Sequence, residues 1–347
     1  MKILVTGGTG YIGSHTAVEL LEAGFEVVIG DNLSNSSAEV ADRIREISGK
    51  PVEFERVDFS DSAACRQFFS HHTTIQAVIH FAAFKAVGES VDHPLKYYKN
   101  NLDSLMNILE EMKTHQIPYL VFSSSATVYG QPEQLPVTEN APFQPAGSPY
   151  GNTKQIAEEI IQDSVKAYPG LKAISLRYFN PIGAHPSALI GELPLGVPNN
   201  LVPFITQTAA GLRKELLVFG DDYQTPDGSA IRDYIHVTDL AVAHVKAIAR
   251  MRDQQSDETY EFFNLGTGNG SSVLEVIETF ERVNQVPLPH RITGRRPGDV
   301  EQVWADTRKA NEILGWKATH SLEEALSSAW KWEMQLKLSN QTKTKNE

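Results

Sequence analysis

The sequence predicts an α/β protein: a Rossmann-type doubly wound parallel sheet with a smaller mixed α/β substrate domain. Three observations carry this. Short β-branched runs alternate with helical patterns through the first half, as in successive βαβ units. Glycines at 7, 10 and 13 fall directly between the first strand and the first helix, and this G-x-x-G-x-x-G spacing allows a tight turn and lets backbone N–H groups approach a pyrophosphate. Ala77–Phe81 is apolar without alternation, the pattern of a strand covered on both faces.

Taken in order, Lys2–Thr6 reads as the first strand and Tyr11–Ala23 as the first helix, stopped by Gly24. Glu26–Ile29 is the second strand and ends at Gly30-Asp31. Val52–Val57, Ala77–Phe81, Tyr119–Ser123 and Ala173–Arg177 continue the strands, with helices at about 38–48, 62–70, 94–115 and 149–168. The pattern loosens after Asn180. Segment 181–230 is rich in Pro, Gly and Asn and holds one helix near Pro203–Leu212. Ile231–Val237 reads as a strand, Asp239 to about Arg252 as a helix capped by the Thr238-Asp239 pair, and Phe262–Leu265 as a strand returning to the first sheet. The expected division is a dinucleotide-binding unit over 1–180, rejoined at about 231–265, a smaller unit over 181–335, and a frayed polar tail over 336–347.

Bulk properties narrow the classes of function. The 347 residues are 41% apolar and 21% charged, the composition of a soluble globular protein. A formal charge of −12 argues against a nucleic-acid partner, which needs a basic surface. Cys65 is the single cysteine, so neither an intramolecular disulfide nor a cysteine-based zinc site is expected. No apolar run approaches the roughly 18 residues of a membrane helix, and Ile3-Leu4-Val5 is too short for a signal-peptide core. A cytoplasmic protein with no membrane partner is expected. The histidines at 71, 72, 236 and 244 lack metal-ligand spacing, so no metal is expected.

Two constellations carry chemistry. Asp31, at the end of the second strand, is where a carboxylate accepts hydrogen bonds from the adenosine ribose hydroxyls; its other role is that of a turn residue. A phosphorylated ribose would want a cation nearby, and Asp31-Asn32-Leu33-Ser34-Asn35-Ser36 offers none, so NAD is the expected cofactor. Downstream, Ser148 reads as an N-cap and Pro149 as the first helical residue, which sets Tyr150 and Lys154 one turn apart on one face. A phenol has a pKa of about 10, and an adjacent ammonium with the positive end of a helix dipole favours phenolate. That pairing beside a dinucleotide loop implies proton removal from an alcohol with hydride transfer to a nicotinamide. The serines at 123–125 stand at the carboxyl edge of the sheet, where one hydroxyl could hold the substrate alcohol beside Tyr150.

These motifs resemble the extended short-chain dehydrogenase/reductase family and, within it, the UDP-glucose 4-epimerases. The resemblance runs from Met1 to about Trp332. It is carried by T-G-G-x-G-Y-I-G-S-H at 6–15, F-A-A-F-K at 81–85, S-S-S-A-T-V-Y-G at 123–130 and Y-G-N-T-K at 150–154. R-Y-F-N-P-I-G-A-H at 177–185, R-D-Y-I-H-V-T-D-L at 232–240, R-R-P-G-D at 295–299 and W-A-D at 304–306 complete it. Phe84 and Ala83 are small departures, at positions where the family often has Leu and Gly.

The resemblance implies Ser125, Tyr150 and Lys154 as catalytic residues that also touch NAD, with Ser125 and Tyr150 touching the UDP-sugar as well. NAD contacts would come from Gly7, Gly10, Tyr11, Ile12, Gly13, Asp31, Asn32, Asn35, Ser36, Asp58, Phe59, Phe81, Ala82, Lys85, Asn100 and Phe179. The UDP-sugar would be held by Lys85, Thr127, Phe179, Asn180, Asn200, Leu201, Leu217, Val218, Phe219, Arg232, Tyr234, Arg296, Asp299 and Val303. Arg232 and Arg296 suit this chemically, since each guanidinium can clamp a pair of diphosphate oxygens. The implied activity is interconversion of UDP-glucose and UDP-galactose through transient oxidation at the sugar C4 with recycled NAD, in galactose metabolism. Val303 falls where the family varies between tyrosine and a small residue, so UDP-N-acetylhexosamines are expected to fit as well. A homodimer through the helices at 94–115 and 149–168 is also implied. Competing readings are a 4,6-dehydratase, disfavoured because Ser125-Ala126-Thr127 carries no carboxylate, a uronate-specific epimerase or decarboxylase, and a silent dinucleotide sensor.

Overall fold

The computed structural model describes residues 1–296 and 300–346, and side chains as far as Ser339. The chain opens with β1 (Lys2–Thr6), α1 (Tyr11–Glu22), β2 (Glu26–Asp31), α2 (Glu39–Ser48) and β3 (Glu53–Arg56). It continues through α3 (Ser62–His71), β4 (Ile75–His80), α4 (Val87–Asp92), α5 (Pro94–Thr114) and β5 (Tyr119–Ser125). A 3₁₀ turn at Ala126–Tyr129 precedes α6 (Pro149–Ala167), β6 (Lys172–Tyr178) and β7 (Asn180–Ile182). Then come α7 (Leu201–Ala209), β8 (Leu216–Phe219), β9 (Ile231–Arg232), β10 (Tyr234–His236), α8 (Val237–Arg252) and β11 (Tyr260–Leu265). The last elements are β12 (Ser271–Ser272), α9 (Val273–Asn284), β13 (His290–Thr293), β14 (Gln302–Val303), α10 (Arg308–Glu312) and α11 (Leu322–Asn346).

Seven strands form one parallel sheet in the order β3-β2-β1-β4-β5-β6-β11. The order reverses between β1 and β4, and the crevice at such a reversal is where open α/β sheets bind ligands. Pleating explains the unbroken apolar strands. Ile3 and Val5 pack with α1, α2 and α8, whereas Leu4 packs with α3, α5 and α6 on the other face. β11 joins at the edge beside β6, which is the return expected of Phe262–Leu265. The smaller unit has its own core, in which Val202 and Ile205 of α7 meet Val218, Ile277, Phe280 and Leu326.

The structure departs from expectation in four places. Ile231–Val237 is two short strands, because Asp233 leaves the ladder and its buried carboxylate accepts from the N–H groups of Thr267, Gly268 and Ala305. The helix that follows is not capped by Thr238-Asp239. His236 Nδ1 accepts from Thr238 N at 3.0 Å, while the Asp239 carboxylate binds Thr319 and His320. Ala310, Leu314 and Trp316 pack into the first unit's core, so the chain returns there a second time. The last helix runs through Asn346, past the point where the sequence reads a frayed tail. No described helix is long and apolar enough to cross a membrane.

Candidate functional site

At the start of α6, Ser148 Oγ accepts from Gly151 N at 3.2 Å and Pro149 occupies the first turn. This fixes the phase of the helix, and both Tyr150 and Lys154 face inward, 7% and 5% exposed. Ser125 ends β5; its Oγ accepts from Thr127 N at 3.2 Å, and its side chain is near enough to Tyr150 to favour the ionised phenol. Lys154 Nζ donates to Ser123 O at 2.7 Å and stands 4.7 Å from the Phe122 ring centroid and 5.9 Å from that of Tyr150.

Burial governs the charge states. It pushes the Lys154 ammonium down to about 8, against the pull of Glu158. It raises the Tyr150 phenol, with Tyr178 adding to the rise and the Ser125 side chain opposing it. Burial of the Tyr150 hydroxyl thus works against the phenolate that an adjacent ammonium and a helix N-terminus favour. Behind the pair, Glu158 accepts from Arg177 Nη2 at 2.6 Å and from Ser124 Oγ at 2.6 Å, all of it buried. This network pins α6 to β5 and β6. Sequence reasoning missed it, although Glu158 lies one turn beyond Lys154 on the same face.

The first cleft opens at the β1/β4 reversal. Gly7, Gly10, Tyr11, Ile12, Gly13, Asp31, Asn32, Asn35, Asp58, Phe59, Phe81, Ala82, Lys85, Asn100, Tyr150 and Lys154 line it, as do Ser104 and Tyr178, which the sequence did not suggest. Gly7 has φ +67, and an added Cβ would stand 2.9 Å from Ala82 N. The first turn of α1 has neither a side-chain cap nor an acidic residue, so its N–H groups are open to the cleft. Asp31 accepts from Thr9 N, Leu33 N and Ser36 Oγ while also lining the cleft. It is thus a turn residue with lone pairs to spare, since a carboxylate accepts at about four sites. An uncapped helix terminus, closely approached glycines and a carboxylate at the strand end fit an adenine dinucleotide. Ser36 stands behind Asp31, and Phe179 is in an apolar cluster away from the lining.

The second cleft is lined by Asn180, Asn200, Leu201, Leu217, Phe219, Arg232, Tyr234 and Arg296, and also by Phe204, Leu216, Ala230 and Val273. The pleat of β8 turns the Val218 side chain into the core, 1% exposed, while Leu217 and Phe219 reach the cleft, which leaves Val218 only its backbone to offer a ligand. Thr127 Oγ1 is buried without a hydrogen-bond partner among the described residues. Val303 pairs with Arg232 in the β14/β9 register and packs against the apolar cluster that holds Val128, Tyr129 and Phe179. Asp299 lies outside the described residues. Between the clefts, Glu192 Oε1 accepts from both Lys85 Nζ, at 3.0 Å, and Asn200 Nδ2, at 2.7 Å. No sequence signal marked Glu192. Among the described residues no group of three or more His, Cys, Asp or Glu is placed to hold a metal ion.

The family model described as GDP-mannose 4,6 dehydratase matches residues 4–329. A UDP-glucose 4-epimerase of Bacillus subtilis is 51% identical over 333 residues, covering 96% of this chain and 97% of the relative. A UDP-glucose-4-epimerase from Stenotrophomonas maltophila, with bound NAD and formylated UDP-arabinopyranose, has a TM-score of 0.94 at 47% identity, covering 98% and 99% of the two chains. The Bifidobacterium longum enzyme, in complex with NAD+ and UDP, has a TM-score of 0.92 at 46% identity, covering 96% and 98%. Identity at this level over nearly the whole of both chains reflects common descent and not a shared fold alone, and the chain belongs to the UDP-glucose 4-epimerase family of the extended short-chain dehydrogenases/reductases.

Proposed function

We propose that the protein interconverts UDP-glucose and UDP-galactose, with NAD in the first cleft and the UDP-sugar in the second. The observation that carries this is the buried Tyr150–Lys154 pair in the wall of the first cleft, with Ser125 beside Tyr150, and the link from that cleft to the second through Glu192. Bound NAD supplies the hydride acceptor for the sugar C4. Tyr150 takes the 4-hydroxyl proton, and the Ser125 hydroxyl beside it orients the substrate hydroxyl. Lys154, fixed by Ser123 O, supplies the positive charge that steadies the anionic tyrosine. Arg232 and Arg296 hold the diphosphate, and the open N-terminus of α7 adds backbone donors. The 4-keto sugar then presents its other face and recovers hydride and proton. Dehydration would need an acid and base beside Ser125, where Ala126 has no ionisable group.

A second substrate pair is favoured by one observation. Val303 pairs in register with Arg232 of the second cleft and is smaller than a tyrosine, and on that size difference UDP-N-acetylglucosamine and UDP-N-acetylgalactosamine belong to the proposed substrates. A role in galactose metabolism, a cytoplasmic location and a homodimer through α5 and α6 belong to the same reading; exposed Leu95 and Met106 on α5 support the dimer. The test is purified protein incubated with UDP-galactose alone, without added NAD. UDP-glucose should form, and denatured protein should release nicotinamide dinucleotide. No product together with an empty supernatant refutes the proposal.

A further inference from the structure

The junction between the clefts is held by a carboxylate that the chemistry above does not use. Glu192 binds Lys85, which lines the first cleft, and Asn200, which lines the second. Its side chain is 13% exposed. The loop beneath is fixed as well: Glu192 O accepts from Trp332 Nε1 at 2.9 Å, and a Cβ added at Gly191 would stand 2.5 Å from the Trp332 ring. Lys85 Nζ also lies 5.9 Å from the ring of Tyr11, another residue of the first cleft.

Asn200 occupies the N-cap position of α7, yet its side chain makes no cap bond. An asparagine there ordinarily accepts from the first helical turn. Here its amide is drawn to Glu192 instead, and the N-terminus of a nine-residue helix stays open toward the second cleft.

We infer that Glu192 is a positioning residue that sets Lys85 and Asn200 across the junction and keeps the first N–H groups of α7 free for the diphosphate. This rests on the sugar-nucleotide reading above. The same carboxylate is negative, so it opposes an anion in the second cleft. Organisation and repulsion act in opposite directions. Removing the charge should tighten anion binding while turnover falls, a split that loss of packing would not produce.

The experiment measures UDP binding by titration calorimetry, on protein as purified, and steady-state conversion of UDP-galactose, for wild type, Glu192→Gln and Glu192→Asp. Glu192→Gln keeps an oxygen for Asn200 and loses the ion pair; it should bind UDP about 3- to 10-fold more tightly, the worth of one partly screened charge. Its turnover should fall about 10-fold or more as Lys85 loses its alignment, with KM falling alongside Kd. Glu192→Asp keeps the charge on a shorter stem, so UDP affinity should stay within about twofold of wild type while turnover drops. Parallel losses of affinity and turnover in Glu192→Gln, or unchanged turnover in it, overturn the inference. Should Glu192→Gln fail to fold, undiminished turnover in Glu192→Asp overturns it equally. Wild-type protein that neither binds UDP nor converts UDP-galactose refutes the function itself, a failure read before any variant is compared.

Discussion

Two buried histidines should make the protein acid-labile well above the carboxylate range. His15 on α1 and His244 on α8 each hydrogen-bond a carbonyl one turn back through Nδ1, at 2.7 Å to Tyr11 O and 2.8 Å to Leu240 O. A carbonyl only accepts, so Nδ1 carries the hydrogen and Nε2 is the lone-pair nitrogen. In both rings Nε2 is buried without a partner among the described residues. A second proton would have to sit there, desolvated. Burial accordingly lowers His15 to about 3 and His244 to about 4, from the usual 6.5. Between those values and 6.5 the unfolded chain binds protons that the folded one refuses, so stability falls as pH falls from about 6.5. The slope is about 1.4 kcal/mol per pH unit per group. From pH 6.5 to 5 each ring therefore costs about 2 kcal/mol, and the pair about 4 kcal/mol. Urea unfolding at pH 7, 6, 5.5 and 5 measures the dependence, and the double variant His15→Gln/His244→Gln should flatten it by that amount relative to wild type, whatever its stability at pH 7. A variant curve parallel to that of wild type would refute the argument.

Tyr150→Phe should lower turnover by ~10²–10⁴ while leaving UDP binding intact, because the ring is kept and only proton transfer is lost; near-normal turnover removes Tyr150 from the mechanism. Lys154→Met should show a comparable loss with the pH optimum displaced upward, read from a kcat–pH profile. Gly13→Ala puts a methyl group too close to Gly7 O and 2.8 Å from Gly8 Cα, so the dinucleotide loop must shift at a cost of about 1–3 kcal/mol; protein with full cofactor content and unchanged thermal midpoint would contradict this. Val303→Tyr should abolish conversion of UDP-N-acetylhexosamines and spare UDP-galactose, and equal handling of both sugar pairs would discard the gate.

The sequence by itself determined whatever depends on near neighbours. The Gly7-to-Gly13 turn, the Ser148 cap with Pro149, and hence the shared face of Tyr150 and Lys154, follow from local backbone preference and helical periodicity, and each is found as read. The parallel order was legible for a similar reason: strands apolar throughout must be covered on both faces, and short helical crossovers leave few topologies. The tertiary structure decided what depends on partners remote along the chain. Lys85 and Glu192 are 107 residues apart, and Asp233 serves loops at 267–268 and 305, so no spacing rule could reveal either hub. Val218 points inward because the phase of β8 is set by the core it packs against. Burial raises the Tyr150 phenol because desolvation is a property of everything packed around the hydroxyl, whereas the sequence displays only the lysine one turn away.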